Sequence, residues 1–501
     1  MSAYQRPGVY VQEVLNPVQQ IVGPASTSIA AFLGENDRGP VTPTLVNSWS
    51  EYVTYFGSWN STANNDLAVA VYQFFVNGGS SAYVTRVVGT GANAATRTLS
   101  DRAGSPLPTL VVDAINVGAW GNNLNVSITD STNSGYFNLV VYYNGSSDAN
   151  IVERFTDLSM TSTDARYAPI VINNSSKYVV VSDAGSSSTG STRNPAVASN
   201  SSLTSGANGA SVGGGDISAA LPLYDYIASS LIMNAPGYTD ASTVNDLIAY
   251  AEGRDDVFVV VDGSSGDVAS QVSLNLTYTA SSYAAVYYPQ IYVNDPTVGV
   301  GSATNSLKVI GAGASIMGLF ARTDASRGVF KAPAGLSARI TGAVSVAPLT
   351  NAELDTLNSS PAPVNAIRFI SGSGIVVMGA RTLKAGYVDR YVPVRRTLIY
   401  LRKSLTDLTQ FAVFEPNDQA LWRRLNASVT TFLTEFWSQG GLKGGTPADA
   451  FFVKVDSTNN TTNTIDNGEV NIEVGVSLQR PAEFVVIKIG QFDGGTTVTV
   501  A

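Results

Sequence analysis

Between residues 29 and 88 the sequence spells out the first half of an α/β layer and then breaks off. Residues 29–34 (IAAFLG) are apolar and end at a glycine, the pattern of a buried strand. Residues 66–77 (DLAVAVYQFFVN) place apolar side chains at helical spacing and stop at Gly78-Gly79, after which 82–88 (AYVTRVV) return to strand. The pattern resumes only near residue 240. Thr239 or Asp240 can cap a helix running to about 252, residues 257–261 (VFVVV) follow as a fully buried strand, and another strand covers 283–288. Two segments far apart in sequence are therefore expected to complete one α/β unit, with what lies between them set aside as an insertion.

The intervening stretch has its own texture. Residues 109–112, 123–129, 137–143 and 177–181 are short strand candidates separated by Gly, Asn and Ser, which suggests a small all-β module. Residues 182–219 are dominated by Ser, Gly, Ala, Asn and Thr and read as a flexible loop or linker. Beyond residue 372, helices are expected at 394–405 and 417–437, and strands at 451–455, 469–478 and 484–489. Both ends are strand-prone: 7–14 (PGVYVQEV) at the start, and 496–500 (TTVTV) after a Gly-containing break at 490–495. The expected fold is a multidomain α+β and α/β protein with extended terminal strand arms. Its parts are an N-terminal linking arm (1–20), a middle α/β domain in two pieces (21–104 and 220–371), and an inserted β-rich domain with its Ser/Gly-rich linker (105–219). A C-terminal domain (372–489) and a C-terminal linking arm (490–501) complete it.

Composition removes much chemistry before any motif is read. The 501 residues include no Cys and no His, so disulfides, thiolate metal sites and the commonest general base are absent. A net charge of −9 argues against a nucleic-acid partner. With 44% hydrophobic and 13% charged residues the chain can build cores, yet no apolar run is long enough to span a membrane. Residues 1–7 lack the basic start and apolar stretch of a secretion signal, so folding in a cytoplasm is expected. Asn-x-Ser/Thr triplets such as Asn125-Val-Ser127 are chance matches in that setting.

The motifs that imitate active sites fail on spacing. Gly311-Ala-Gly313 lacks the third glycine of a dinucleotide loop, which would fall at Ile316. Residues 440–446 (GGLKGGT) have the composition of a phosphate loop without its order, and a helix C-cap followed by a loop explains them. Ser264-Ser265 is no nucleophile elbow. Asp255, Asp256 and Asp262 flank the 257–261 strand, where α/β enzymes often keep acids, but solvated strand ends account for them. No catalytic, cofactor-binding or metal-binding residue is assigned. One charge asymmetry stands out: Arg368, Arg381, Lys384, Arg390, Arg395, Arg396, Arg402 and Lys403 face a single acid in that span, Asp389. This reads as a basic face, continued by Arg423 and Arg424.

The ordered series of segments resembles the phage tail sheath family over nearly the whole chain. Residues 6–13 (RPGVYVQE) look like its opening arm, and 26–34 (STSIAAFLG), 38–40 (RGP) and 55–57 (YFG) like its first strand and loop. The series continues through 74–79 (FFVNGG), 82–86 (AYVTR), 118–122 (GAWGN), 235–237 (APG), 284–289 (AAVYYP), 321–324 (ARTD) and 328–333 (GVFKAP). The densest block is the last: Arg395-Arg396, 414–422 (FEPNDQALW), 432–437, 440–447, 450–454 (AFFVK) and 480–483 (RPAE). Residues 309–315 replace the family's Pro-Pro-Ser-Gly turn, and Phe330 stands where Trp is usual.

The resemblance implies a structural, non-enzymatic subunit without cofactor. Such subunits polymerise as six-fold rings stacked helically around a tail tube, and contraction drives the tube through a bacterial envelope. The family's C-terminal domain lies against the tube and its inserted domains lie outward. Flexible terminal arms add strands to neighbouring subunits; here Val9, Tyr10, Val11, Val498 and Val500 would supply them. Arg423 and Arg424, then Arg402 and Lys403, are the expected tube-facing residues. Baseplate, tail terminator and tail tube proteins are the implied partners, without nucleic acid or membrane insertion. The virion tail, assembled in the host cytoplasm, is the implied location. A genome-free contractile bacteriocin or injection system would use the same subunit. Two readings of other classes are a β-rich surface adhesin or array protein, which requires a secretion signal, and a carbohydrate-active enzyme using Asp256 and Asp262.

Overall fold

The computed structural model describes residues 26–59, 66–295, 307–386 and 389–483. Along the chain, β1 (Ala30–Gly34), β2 (Thr44–Val46) and β3 (Ala82–Arg86) come first, followed by an excursion through seven strands. These are β4 (Thr96–Ser100), β5 (Pro108–Ala114), β6 (Leu124–Asp130), β7 (Phe137–Tyr143), β8 (Ile151–Leu158), β9 (Val179–Asp183) and β10 (Ala198–Ser202). The chain then returns with β11 (Leu231–Asn234), β12 (Val257–Asp262) and β13 (Ala284–Tyr288).

The two halves do complete one layer. An eight-stranded sheet runs β18-β17-β13-β12-β11-β1-β3-β2, where β17 is Asn365–Ile370 and β18 is Gly374–Val377. β1 pairs in parallel with β3 on one side and with β11, some two hundred residues later, on the other. The six central strands are parallel, and both edge strands are antiparallel. Central strands covered on both faces must be apolar throughout. In β12, Phe258 and Val260 face one core while Val257, Val259 and Val261 face the other. Ala30 and Phe32 alternate with Ala31 and Leu33 in the same way.

The Asp66–Val76 and Gly313–Arg327 helices cover the first face together. Their backbones meet at Gly318, where a Cβ would come 2.4 Å from the Phe74 carbonyl oxygen. The Ala241–Arg254 helix covers the other face, and its Asp240 cap accepts from the Thr243 N–H at 2.9 Å. A small antiparallel sheet of β14 (Ile291–Asn294), β15 (Leu307–Ile310) and β16 (Ala343–Val346), unforeseen in the sequence, packs beside the first core.

The excursion forms two antiparallel sheets, β10-β6-β7-β8 and β4-β5-β9, around a core of its own that includes Trp120, Phe137 and Met160. It begins earlier than the expected 105, because β4 pairs with β5. The stretch expected to be a flexible linker, 182–219, is corrected here. β10 lies in it and pairs with β6, Thr204 and Ala207 bridge back to Thr96 and Asn93, and the Gly214–Ala220 helix packs on the main body. Its polar side chains supply the hydrogen bonds that apolar packing does not: Ser186 and Ser188 both donate to Asp101, and Asn194 to the Gly135 carbonyl. Arg86, almost fully buried, ties the module to the main sheet by donating to the carbonyls of Asn36 and Val117, while Arg38 stacks on Tyr178 at 4.4 Å.

The C-terminal part is built on the Val392–Thr409 and Gln419–Ser438 helices, with β19 (Phe451–Lys454) and β20 (Glu473–Val476) paired antiparallel. The start expected at 372 falls inside the β17–β18 hairpin, so the large sheet continues to Val377. The Val392–Thr409 helix also belongs to both bodies: Val392 and Ile399 enter the central core, whereas Leu401 packs with Leu433 and Phe436.

Candidate assembly surface

In an open parallel sheet, ligands bind beyond the carboxyl ends of the strands, where the strand order reverses. Here that place is beyond β1, β11 and β12, and the chain fills it with itself. Asp262 ends β12 fully buried and accepts from the N–H of Gly313 at 2.7 Å and of Gly237 at 3.2 Å. A Cβ on Gly311 would lie 2.0 Å from the Asp262 carboxyl carbon, which explains the Gly-Ala-Gly sequence without any nucleotide. Asp262 thus holds the start of the Gly313–Arg327 helix.

Burial pushes the Asp262 carboxyl up to about 6, against the two N–H donors, which favour the charged form. A group protonated more readily in the folded state stabilises most below its ordinary value, and that contribution is lost as pH rises through about 6. The difference amounts to about 3 kcal/mol. In urea unfolding, Asp262→Asn is therefore expected to gain about 2 kcal/mol on the wild type between pH 4 and pH 7, since part of the difference is already lost at pH 4. A pH-independent difference would show that Asp262 does not titrate as its burial requires.

The other acids of that strand do not converge on a site. Asp256 pairs with Arg254 at 2.7 Å, and Asp255 pairs with Arg402 at 2.6 Å and accepts from Tyr283. Among the described residues no group of acids could hold a metal ion, and no helix is long and apolar enough to cross a membrane.

The basic run is largely neutralised. Six of its eight members have an acidic partner: Arg381 with Glu483, Lys384 and Arg395 with Asp389, Arg396 with Asp324, Arg402 with Asp255, and Lys403 with Asp407. The continuous basic face expected from the sequence is corrected accordingly. Arg423 is exposed, with no acidic partner among the described residues, and Arg424 reaches Glu415 at 4.0 Å while stacking on Phe411 at 4.9 Å. Arg402 and Lys403 are held by acids within the chain.

Two features of the C-terminal part point to contacts with other molecules, and two buried or half-buried clamps hold its ends within the chain. The β19–β20 pair gains no third strand among the described residues, and Phe452 on it is 54% exposed. The turn between the two long helices carries Val413 and a fully exposed Phe414 with φ +66°, a conformation costly for a non-glycine residue. Arg396, 3% exposed, clamps Asp324, the carbonyl of Thr27 and the face of Phe320. Thr27 completes the clamp by donating its hydroxyl to Asp324 at 2.7 Å. Arg381 does the same for the other end of the described chain, gripping Glu483 through two hydrogen bonds, with the Tyr391 hydroxyl at 3.2 Å. Val9, Tyr10, Val11, Val498 and Val500 lie outside the described residues.

Two family models match the chain in succession. The phage tail sheath protein central domain matches residues 210–383 and the phage tail sheath C-terminal domain matches 390–491, together more than half of the chain. The tail sheath protein of Vibrio phage KVP40 is 28% identical over 176 residues, 34% of this chain and 25% of that protein; the match thus spans a quarter of that relative's length. The fold is similar to the PVC sheath of an extracellular contractile injection system in the contracted state. That likeness has a TM-score of 0.60 at 22% identity over 98% of this chain and 99% of that one. The sheath tail protein of Listeria innocua aligns with a TM-score of 0.62 at 13% identity, over 91% of this chain and 96% of that one. At these identities the structural likeness is one of fold.

Proposed function

The chain belongs to the phage tail sheath family, and we propose from that membership that it is the structural subunit of a contractile phage tail sheath. What carries the reading is the succession of a central and a C-terminal sheath domain in one chain. The subunit polymerises as a helical stack of six-fold rings around the tail tube, between baseplate and terminator, in the host cytoplasm. Its shortening drives the tube through the bacterial envelope for genome ejection. The contacts are heterologous, which extends a filament instead of closing a dimer. The extended state is held by a barrier, and contraction exchanges one set of packed interfaces for another between bodies that keep their shape. The Arg396 clamp and the helix shared by two cores support such rigid bodies. The part from about residue 390 lies inward, and the 96–202 module lies outward.

Arg423 and Arg424 are the proposed tube contacts. Each exposed pair is worth about 0–1 kcal/mol and is screened by salt, so only repetition along the tube sets register. Particles carrying Arg423→Glu with Arg424→Glu are expected to show bare or partly sheathed tubes in negative stain, from subunits with wild-type circular dichroism. Full-length sheaths on that variant would remove both residues. Absence of hollow, striated cylinders from wild-type particles would remove the sheath function itself.

A genome-free injection particle is the second reading, favoured by the likeness in fold over 99% of the PVC sheath chain. DNA-filled capsids on the purified particles decide for the phage.

A further inference from the structure

Four basic residues without an ion pair among the described residues, Arg322, Arg327, Lys331 and Arg339, lie outside the run that the sequence singles out. The Gly313–Arg327 helix and the loop after it line a cavity of about 300 Å3 with Arg322, Arg327 and Lys331, together with Thr323, Ser326 and Ser337. No described lining residue is acidic. Arg322 donates to the backbone carbonyl of Arg339, a fourth base, exposed, whose side chain lies near Gly374. None of the four forms an ion pair among the described residues, whereas most members of the 368–403 run do. The crowding is felt: burial, and then the charge of Arg327, pushes the Lys331 ammonium below its ordinary value.

The same chain carries the complement. Between residues 449 and 473 lie Asp449, Asp456, Asp466, Glu469 and Glu473, all exposed, against a single base, Lys454. None of these acids is ion-paired among the described residues, and no ion pair joins the two regions within one chain. Unpaired cations on one surface and unpaired acids on another are the pattern of a head-to-tail contact, which cannot be satisfied within a monomer and propagates when copies add. A protein of net charge −9 would otherwise gather like charges on assembly.

We propose that the surface formed by the cavity of Arg322, Arg327 and Lys331 and by the adjoining segment that carries Arg339 docks the acidic 449–473 surface of a second copy of this chain. The proposal rests on the sheath reading and adds to it a second contact, electrostatic and distinct from strand exchange by the arms. Its partner is another sheath subunit, not the tube.

Charge reversal at exposed positions tests it, since Arg327, Arg339, Asp466 and Glu469 are all at the surface and their replacement spares the cores. Full-length Arg327→Glu/Arg339→Glu and Asp466→Lys/Glu469→Lys proteins are compared by sedimentation and negative stain at low ionic strength, with melting curves as the control for folding. Each is expected to raise the concentration needed for polymerisation about tenfold or more, as two lost charge pairs and their replacement by repulsion imply. Combining all four substitutions in one chain is expected to restore polymerisation to within about threefold of wild type, and salt near 0.5 M to shrink every difference. Wild-type behaviour of both reversed proteins overturns the contact. So does a fourfold variant no better than either parent, or a defect seen only on tubes while free polymer forms normally. Wild-type protein that forms no polymer removes the sheath reading and this contact with it.

Discussion

Replacing Arg396 with alanine is expected to destabilise the protein by about 3–5 kcal/mol, as removal of one partner from a buried ion pair does. The guanidinium is 3% exposed and the Asp324 side chain 6%, so neither charge has water to fall back on. Arg396 donates to both carboxylate oxygens, at 3.0 and 2.5 Å, and to the Thr27 carbonyl at 2.9 Å. Its removal leaves Asp324 charged and buried with only the Thr27 hydroxyl. For a cooperative unit of about 300 residues the loss corresponds to a fall in melting temperature of about 5–8 °C. Arg396→Lys keeps the charge but not the planar fork, and should lie between wild type and alanine. The double variant Arg396→Met/Asp324→Leu removes both charges and should recover much of the loss, because an apolar pair of similar size needs no compensation. An alanine variant that melts within a degree or two of wild type would mean that the clamp does not hold the C-terminal helix to the central body.

That clamp also shows where the sequence stops being legible. The VFVVV run gave β12 correctly because a strand buried on both faces has one composition, and Asp240 announced its helix because a cap is a local hydrogen bond. That the two halves complete one layer was also legible, since an interrupted α/β pattern has few ways to finish, but β11, the strand that meets β1, was not, because it lies ahead of residue 240, where the pattern reads as resuming. Charge was not. Counting bases from 368 to 403 found one acid, but folding delivers others: Asp324 from 72 residues away, Glu483 from 102, and Asp255 from the end of another helix. Unpaired bases also survive folding at 322–339, where Asp324 sits among the bases and masks them along the sequence, although its own side chain turns inward to Arg396. The polar 182–219 stretch misled for a related reason. Composition says that it cannot bury apolar surface, and says nothing of the hydrogen bonds through which Ser186, Ser188 and Asn194 hold it against the module.

Removing residues 1–14, or residues 496–501, is expected to abolish polymerisation while leaving a folded, soluble monomer. The argument begins with the β19–β20 pair. Two strands alone are marginal in water, and this pair carries the half-exposed Phe452 with no third strand among the described residues. The strand-prone ends, with Val9, Tyr10 and Val11 in one and Val498 and Val500 in the other, have no sequence-adjacent partner. Fixing such a segment costs about 1–2 kcal/mol per residue in backbone entropy, which ladder hydrogen bonds and a covered sheet face must offset. A neighbouring subunit's two-stranded sheet offers both. Each subunit would then give strands and receive them, so losing one kind of arm breaks a link at every copy and the defect multiplies along the polymer. Arg396 and Arg381 fix the points from which the two ends depart, at Thr27 and Glu483, so truncation beyond those anchors leaves the described cores intact. Circular dichroism and melting should match wild type, in contrast to Arg396→Ala, whereas sedimentation should show monomer where wild type pellets. Wild-type-like cylinders from both truncations would defeat strand exchange as the link and leave the charge contact between the 322–339 and 449–473 surfaces as the remaining candidate for holding the polymer together.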